Sequence, residues 1–286
     1  MASMRDIKRR KNSITSTQQI TNAMKLVATA KLRRAKEEAK KTRPFFELIH
    51  KTIASILSTS AGINHPYLLP RQSSRNTYIV ITSNKGLAGG YNGNICKQVL
   101  VNDPNPEGIS VLAVGRKGSD LLRKKGYTVL KNYHDIVEDP SYKNASEIGD
   151  EVIKMYKDNE IDNVYLAYTK FNSSIAQEPM LIKVLPLSEE DFEMEDTTDP
   201  EALMNYEPNE EEVLDHIVPK YVNSIIYGAL RESVASEHGA RMTAMESATK
   251  NASDMIDDLT LQYNRARQAS ITQELAEIVG GAEALK

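Results

Sequence analysis

Two hydrophobic rhythms alternate along this chain of 286 residues. Near the carboxyl end, Met245, Ala248, Ala252, Met255, Leu259, Ala266 and Ala269 recur at steps of three, four or seven. From Ala235 to Gly281 there is no proline, and Gly239 is the only glycine before the closing Gly280-Gly281. That spacing predicts one long helix with a narrow coiled-coil seam, not the broad stripe of a helix lying on a globular core. The amino end carries the same spacing at Ile7, Ile14, Thr17, Thr21, Met24, Ala28 and Ala35. Ile49, Ile53 and Ile56 resume it beyond Pro44, where a kink or break is expected. Fifty-odd residues make a helix of roughly 80 Å at 1.5 Å per residue. The two ends are therefore expected to pair with each other as a rod.

The seam residues are mostly Ala, Thr and Met. They suit a close-packed structural coil. They also suit a coil kept slim because it must fit inside something. If the helices pair antiparallel from their inner ends near Ser58 and Val213, the second outlasts the first by roughly 19 residues, or about 28 Å. That overhang holds Ile271, Leu275, Ile278, Val279 and Leu285. A lone apolar helix in water is an aggregation liability, so a sleeve of other subunits is expected around it.

The middle of the chain follows a shorter period. Thr77–Ser83, Ile109–Gly115, Asn163–Phe171 and Pro179–Leu187 are short apolar, β-branched runs that predict strands. Helices are expected near Ile95–Val101, Arg116–Lys125 and Asn144–Lys157. Strands alternating with helices predict an open, mostly parallel α/β sheet. The expected organisation is a helix over 1–60, a central α/β domain over 75–187, an acidic excursion over 188–212 and a helix over 213–286.

Composition narrows the chemistry. The net charge is −3 but unevenly spread. Residues 1–43 hold thirteen Lys and Arg against three Asp and Glu, while residues 188–212 hold twelve acids and no base. Cys96 is the only cysteine, so neither an intrachain disulfide nor a cysteine metal cluster can form. It reads as packing in a reduced compartment. No apolar run approaches the roughly 20 residues that span a bilayer. MASMRDIKRR has no apolar signal core. A soluble chain is expected, at a membrane only through a partner.

Asn84-Lys85-Gly86-Leu87-Ala88-Gly89-Gly90 follows the first strand, where phosphate-binding loops sit. It matches neither GxGxxG nor GxxxxGK with a following Ser or Thr. The glycines fit tight turns that need positive φ, or a close approach by another backbone. His50, His65, His134, His216 and His238 are scattered without metal-ligand spacing, and no catalytic constellation is evident. No cofactor or metal is expected. The basic amino-terminal helix suits an acidic protein partner or non-specific phosphate contact. A rotor or scaffold, a nucleotide-dependent α/β enzyme and a nucleic-acid-binding coiled coil all stand at this point.

Long motifs decide among them. RDIKRRKNSITSTQQITNAMKLVATAKLRRA (Arg5 to Ala35), ITSNKGLAGGYNGNI (Ile81 to Ile95), ASEHGARMTAMESATKNA and YNRARQASITQELAEIVGGA (Tyr263 to Ala282) closely resemble the F-type ATP synthase gamma subunit. The resemblance runs in order over the whole chain. It implies an antiparallel coiled coil of both termini with a central Rossmann-like α/β domain. It further implies a non-catalytic central rotor stalk inside a hexamer of alpha and beta subunits, with epsilon and the membrane ring of c subunits at the foot. Contacts to the beta subunits are implied at Met24, Lys25, Arg241, Arg265, Gln268 and Thr272. Tyr206 and Glu207 are implied near the ring and epsilon. Plant chloroplast versions carry an inserted cysteine pair, which this chain lacks. With no transit peptide before the first motif, a bacterial protein at the cytoplasmic face of the cell membrane is expected.

Overall fold

The computed structural model describes residues 4–59, 65–71, 75–188 and 210–284. Tyr206, Glu207 and Leu285 lie outside them. Ten elements follow in order: α1 (Met4–Thr59), β1 (Asn76–Ile81), α2 (Tyr91–Asn102), β2 (Ser110–Val114), α3 (Arg116–Lys124), β3 (Thr128–Asn132), α4 (Tyr142–Lys157), β4 (Asn163–Phe171), β5 (Gln177–Leu185) and α5 (Glu210–Ala284). The chain forms two compact units, one of Met1–Ala28 with Met242–Lys286 and one of Thr29–Arg241. The unit boundaries fall within α1 and α5, so each long helix contributes a segment to both.

The larger unit holds a five-stranded sheet of order β3-β2-β1-β4-β5. β1 pairs parallel with β2 and β4, β2 pairs parallel with β3, and only β5 runs antiparallel, against β4. Alternation along β1 sends Ile79 and Ile81 to one face and Tyr78 and Val80 to the other. The first face packs Leu112, Leu166, Ile148 and Val152 with Ile53 of α1 and Leu214, Val218, Val222 and Ile226 of α5. The second packs Ile95, Cys96 and Val99 of α2 with Leu122 of α3. Both faces are covered, which is why the central strands read as continuous apolar runs.

Three features depart from the pattern read in the sequence. β3 was not foreseen. It is an edge strand with a half-exposed Leu130 and the polar Lys131, so it lacks the apolar run that marks its neighbours. α1 continues as helix through Pro44 instead of breaking there. Proline removes one donor and crowds the carbonyl four residues back, yet buried Ala35 and Ile53 flank the site and hold the helix on both sides. The seam residues also shift slightly, as set out next.

Candidate partner interface on the helix pair and its anchorage

In the smaller unit the register of α1 against α5 is written in three polar contacts. Gln18 Nε2 donates to Ser253 Oγ at 2.6 Å, the Thr21 and Thr249 hydroxyls meet at 2.8 Å, and Lys25 Nζ donates to Glu246 Oε1 at 2.8 Å. As one number rises by seven, the other falls by seven: the pair is antiparallel with a heptad repeat. On α1 the covered positions include Met4, Ile7, Lys11, Ile14, Thr15, Gln18, Thr21, Met24, Lys25 and Ala28. On α5 they include Met245, Ala248, Thr249, Ala252, Ser253, Ile256, Leu259, Thr260, Tyr263, Ala266 and Ser270. Thr17, Met255 and Ala269, assigned to the seam from their spacing, are exposed; Gln18, Ile256 and Ser270 take their places. A polar residue that bonds across the seam is invisible to a purely apolar template. Small seam residues keep the two axes close.

The outer surface of this unit is unusually aliphatic. Ile20, Leu26, Val27, Met255 and Leu261 are exposed. Every residue from 271 to 282 is exposed, including Ile271, Leu275, Ile278 and Val279. Arg265, Gln268 and Thr272 are exposed at steps of three and four, which puts them on one helix face. Met24 is half-buried, and Lys25 is committed to Glu246.

In the larger unit the glycine-rich loop after β1 is already filled from within. Leu87 and Gly89 take positive φ, 62° and 55°, and make its turns. At the start of α3, where a phosphate would be cradled, the N–H groups of Arg116, Lys117 and Gly118 donate to Asn84 Oδ1, Ser83 O and Thr82 Oγ1 at 3.1, 3.1 and 2.9 Å. Gly115 permits this seal: its φ is +105°, and an added Cβ would lie 2.2 Å from the Thr82 carbonyl oxygen. Among the described residues, no group of three or more His, Cys, Asp or Glu could hold a metal.

The loop is instead a seat for α5. Arg241 Nη2 reaches the carbonyls of Lys85 and Gly86 at 3.4 Å each, and its Nη1 donates to Glu237 Oε1 at 2.6 Å. Both side chains of that pair are nearly buried. Burial pushes the Glu237 carboxyl pKa up, and the Arg241 charge and hydrogen bond oppose it. Next in sequence, His238 is held down to about 4, first by burial, then by the Arg241 and Lys31 cations. Arg241 therefore faces inward, whereas Arg265, Gln268 and Thr272 face solvent. Glu237 and His238 carried no spacing signal that would have singled them out.

Burial likewise pushes the Cys96 thiol up to about 12, which makes it a packing group. No helix among the described residues is long and apolar enough to cross a membrane.

Known proteins match along the whole length. An ATP synthase family model matches residues 3–285. The ATP synthase gamma chain of Lachnoclostridium phytofermentans is 53% identical over 290 residues, covering 100% of both chains. That of Alkaliphilus metalliredigens is 49% identical, covering 99% of both. The sodium ion specific gamma chain of Acetobacterium woodii is 46% identical, covering 99% of this chain and 98% of that one. Among solved structures, a chain of the Euglena gracilis mitochondrial ATP synthase, in an assembly of OSCP, F1 and c-ring, superposes with a TM-score of 0.69 at 20% identity. That match covers 99% of this chain and 94% of the other. With a heptad-paired helix couple on one unit, a doubly covered, mostly parallel sheet on the other and relatives of this closeness over its full length, the chain belongs to the ATP synthase gamma family, the central-stalk subunits of the F-type enzyme.

Proposed function

We propose that this chain is the turning shaft of its ATP synthase, performs no bond chemistry itself, and passes rotation from a membrane ring of c subunits to beta subunits arranged with alpha subunits around it. Epsilon joins it at the foot, and the complex sits at the cytoplasmic face of the cell membrane. The observation that carries this reading is the end of α5: twelve consecutive exposed residues, 271–282, with an aliphatic stripe at Ile271, Leu275, Ile278 and Val279. Such a helix end has a use inside a collar of apolar walls, where non-directional contacts let it turn. The family motifs and full-length relatives supply the identity of the collar.

Turning an axle smoothly and pushing on catalytic subunits require different contacts. Exposed aliphatics suit the first. Directional donors suit the second, because a charge-assisted hydrogen bond forms only at a fixed geometry. Arg265, Gln268 and Thr272 share one face and are free to meet an acidic segment of a beta subunit. Met24 and Lys25 are the corresponding residues on α1, and Tyr206 and Glu207 are assigned to the ring and epsilon side.

The test is reconstitution. The wild-type chain is expected to form a stoichiometric complex with two larger nucleotide-binding subunits. Replacing Arg265→Ala and Gln268→Ala together is expected to leave the melting curve of the isolated chain unchanged, since both side chains are exposed. ATP hydrolysis by the reconstituted complex is expected to fall several-fold. Wild-type turnover in that complex would remove both residues from the mechanism.

A further inference from the structure

One connection in the larger unit touches more of the molecule than its length suggests. Between β3 and α4, residues 133–141 run past both long helices and the glycine-rich loop. Asn84 Nδ2 donates to the His134 carbonyl at 2.7 Å, which ties the connection to that loop. Val137 is buried in the larger core with Leu214, Val218 and Ile53. Glu138 then faces two cations: Lys85 Nζ at 3.1 Å from the loop and Lys31 Nζ at 3.8 Å from α1. Asp139 Oδ1 accepts from Arg231 Nη1 of α5 at 3.2 Å. Arg231 is held twice more, by its Nε donating to the Tyr227 hydroxyl at 3.1 Å and by its guanidinium lying 5.3 Å from that ring. Tyr142 closes the connection edge-on against Tyr227, with ring centroids 5.7 Å apart.

Most of these charged groups are exposed, so each ion pair contributes little to folding. Their placement is the informative part. Nine residues between an edge strand and the next helix send one carboxylate to α1 and the adjacent one to α5. Contacts to two different helices from a single short segment add to the apolar packing in resisting rotation of the helices against the sheet.

We propose that residues 133–141 are a strap through which the α/β sheet grips both long helices against twisting, with Glu138 and Asp139 as its positioning residues. This deepens the shaft reading and rests on it: a shaft whose foot slips on its stem loses part of each turn. Glu138 and Asp139 touch no reacting group; they act through Lys31, Lys85 and Arg231.

The test uses the assembled enzyme in sealed vesicles and the variants E138Q/D139N and E138D/D139E. Ion uptake is read both as lumen acidification and as sodium uptake, alongside ATP hydrolysis. E138Q/D139N is expected to hydrolyse ATP within about twofold of wild type while ion uptake per ATP drops by half or more. E138D/D139E, which keeps both charges, is expected to restore the ratio. An unchanged ratio in E138Q/D139N, or an equal fall in both activities, overturns the strap, as does failure of the charge-keeping variant to restore it. Failure of the wild-type chain to couple at all would instead overturn the shaft reading. A second measurement needs no assembly: hydrogen exchange on the full isolated chain. E138Q/D139N is expected to speed exchange in residues 29–42 and 227–241 while β1, β2 and β4 stay protected; unchanged exchange in the two helices overturns the proposal.

Discussion

His238 carries its pH sensitivity because of where α5 is seated. Its imidazole is nearly buried and faces the Arg241 and Lys31 cations, which outweigh the Glu138 carboxylate that favours its charge. Its pKa is about 4 in the fold, against an ordinary value of 6.5. The unfolded chain therefore binds a proton more readily, so the contribution of neutral His238 is fully present above pH 6.5 and falls away as pH drops toward 4. Between pH 7 and pH 5 the loss is about 1–2 kcal/mol. His238→Gln is expected to flatten that difference in urea unfolding at the two pH values, and an unchanged slope would mean the imidazole is not titrating there. Gly115 is a sharper constraint. A side chain there faces both a φ of +105° and a backbone oxygen 2.2 Å from its Cβ. Gly115→Ala is expected to cost about 3 kcal/mol, combining strain and overpacking, measured as a lower urea midpoint at unchanged slope. Gly115 could be read from sequence only as a turn glycine needing positive φ, which it adopts, and His238 could not be picked out at all. A single histidine or a single glycine has no period, and its constraint comes from what the fold places against it.

Among the elements, the long helices were the most legible and their details the least. Repetition over many heptads made the coiled coil plain, because each turn repeats the same evidence. Its covered positions were harder to read. Gln18 and Thr249 serve the seam through hydrogen bonds to the partner helix, while Met255 is apolar and 54% exposed. Four strands were legible from apolar runs, whereas the edge strand β3, TVLKN, was not, since it carries no such run. The glycine-rich loop was read as turns needing positive φ, and Leu87 and Gly89 adopt it, but its service as a seat for Arg241 depends on residues 155 positions away. The end of α5 follows a simpler rule. Residues 271–282 are all exposed, so deleting residues 271–286 is expected to leave the melting temperature unchanged and to reduce concentration-dependent self-association in light scattering. A lowered melting temperature would mean that this segment packs on the fold.

At the scale of the molecule, two packing regimes divide the labour. The sheet unit buries branched aliphatics on both faces and is built to keep one shape. The smaller unit joins two helices through a narrow seam and leaves many further aliphatic side chains outward, a surface suited to cover by other chains. Sequence periodicity distinguished these regimes, and long family motifs supplied the assembly. What periodicity could not supply was the joint between helix and sheet, because Lys31, Glu138, Asp139 and Arg231 are charged residues scattered over two hundred positions and meet only after folding. The acidic stretch at 189–209 lies outside the described residues.

The sealed thiol of Cys96 has a practical corollary. A maleimide dye offered to the native protein should find no reactive sulfur, so a cysteine placed at an exposed position such as Gln273 would be the sole attachment point. The wild-type background is thus ready for a fluorophore, a spin label or a bead tether without first removing a native cysteine.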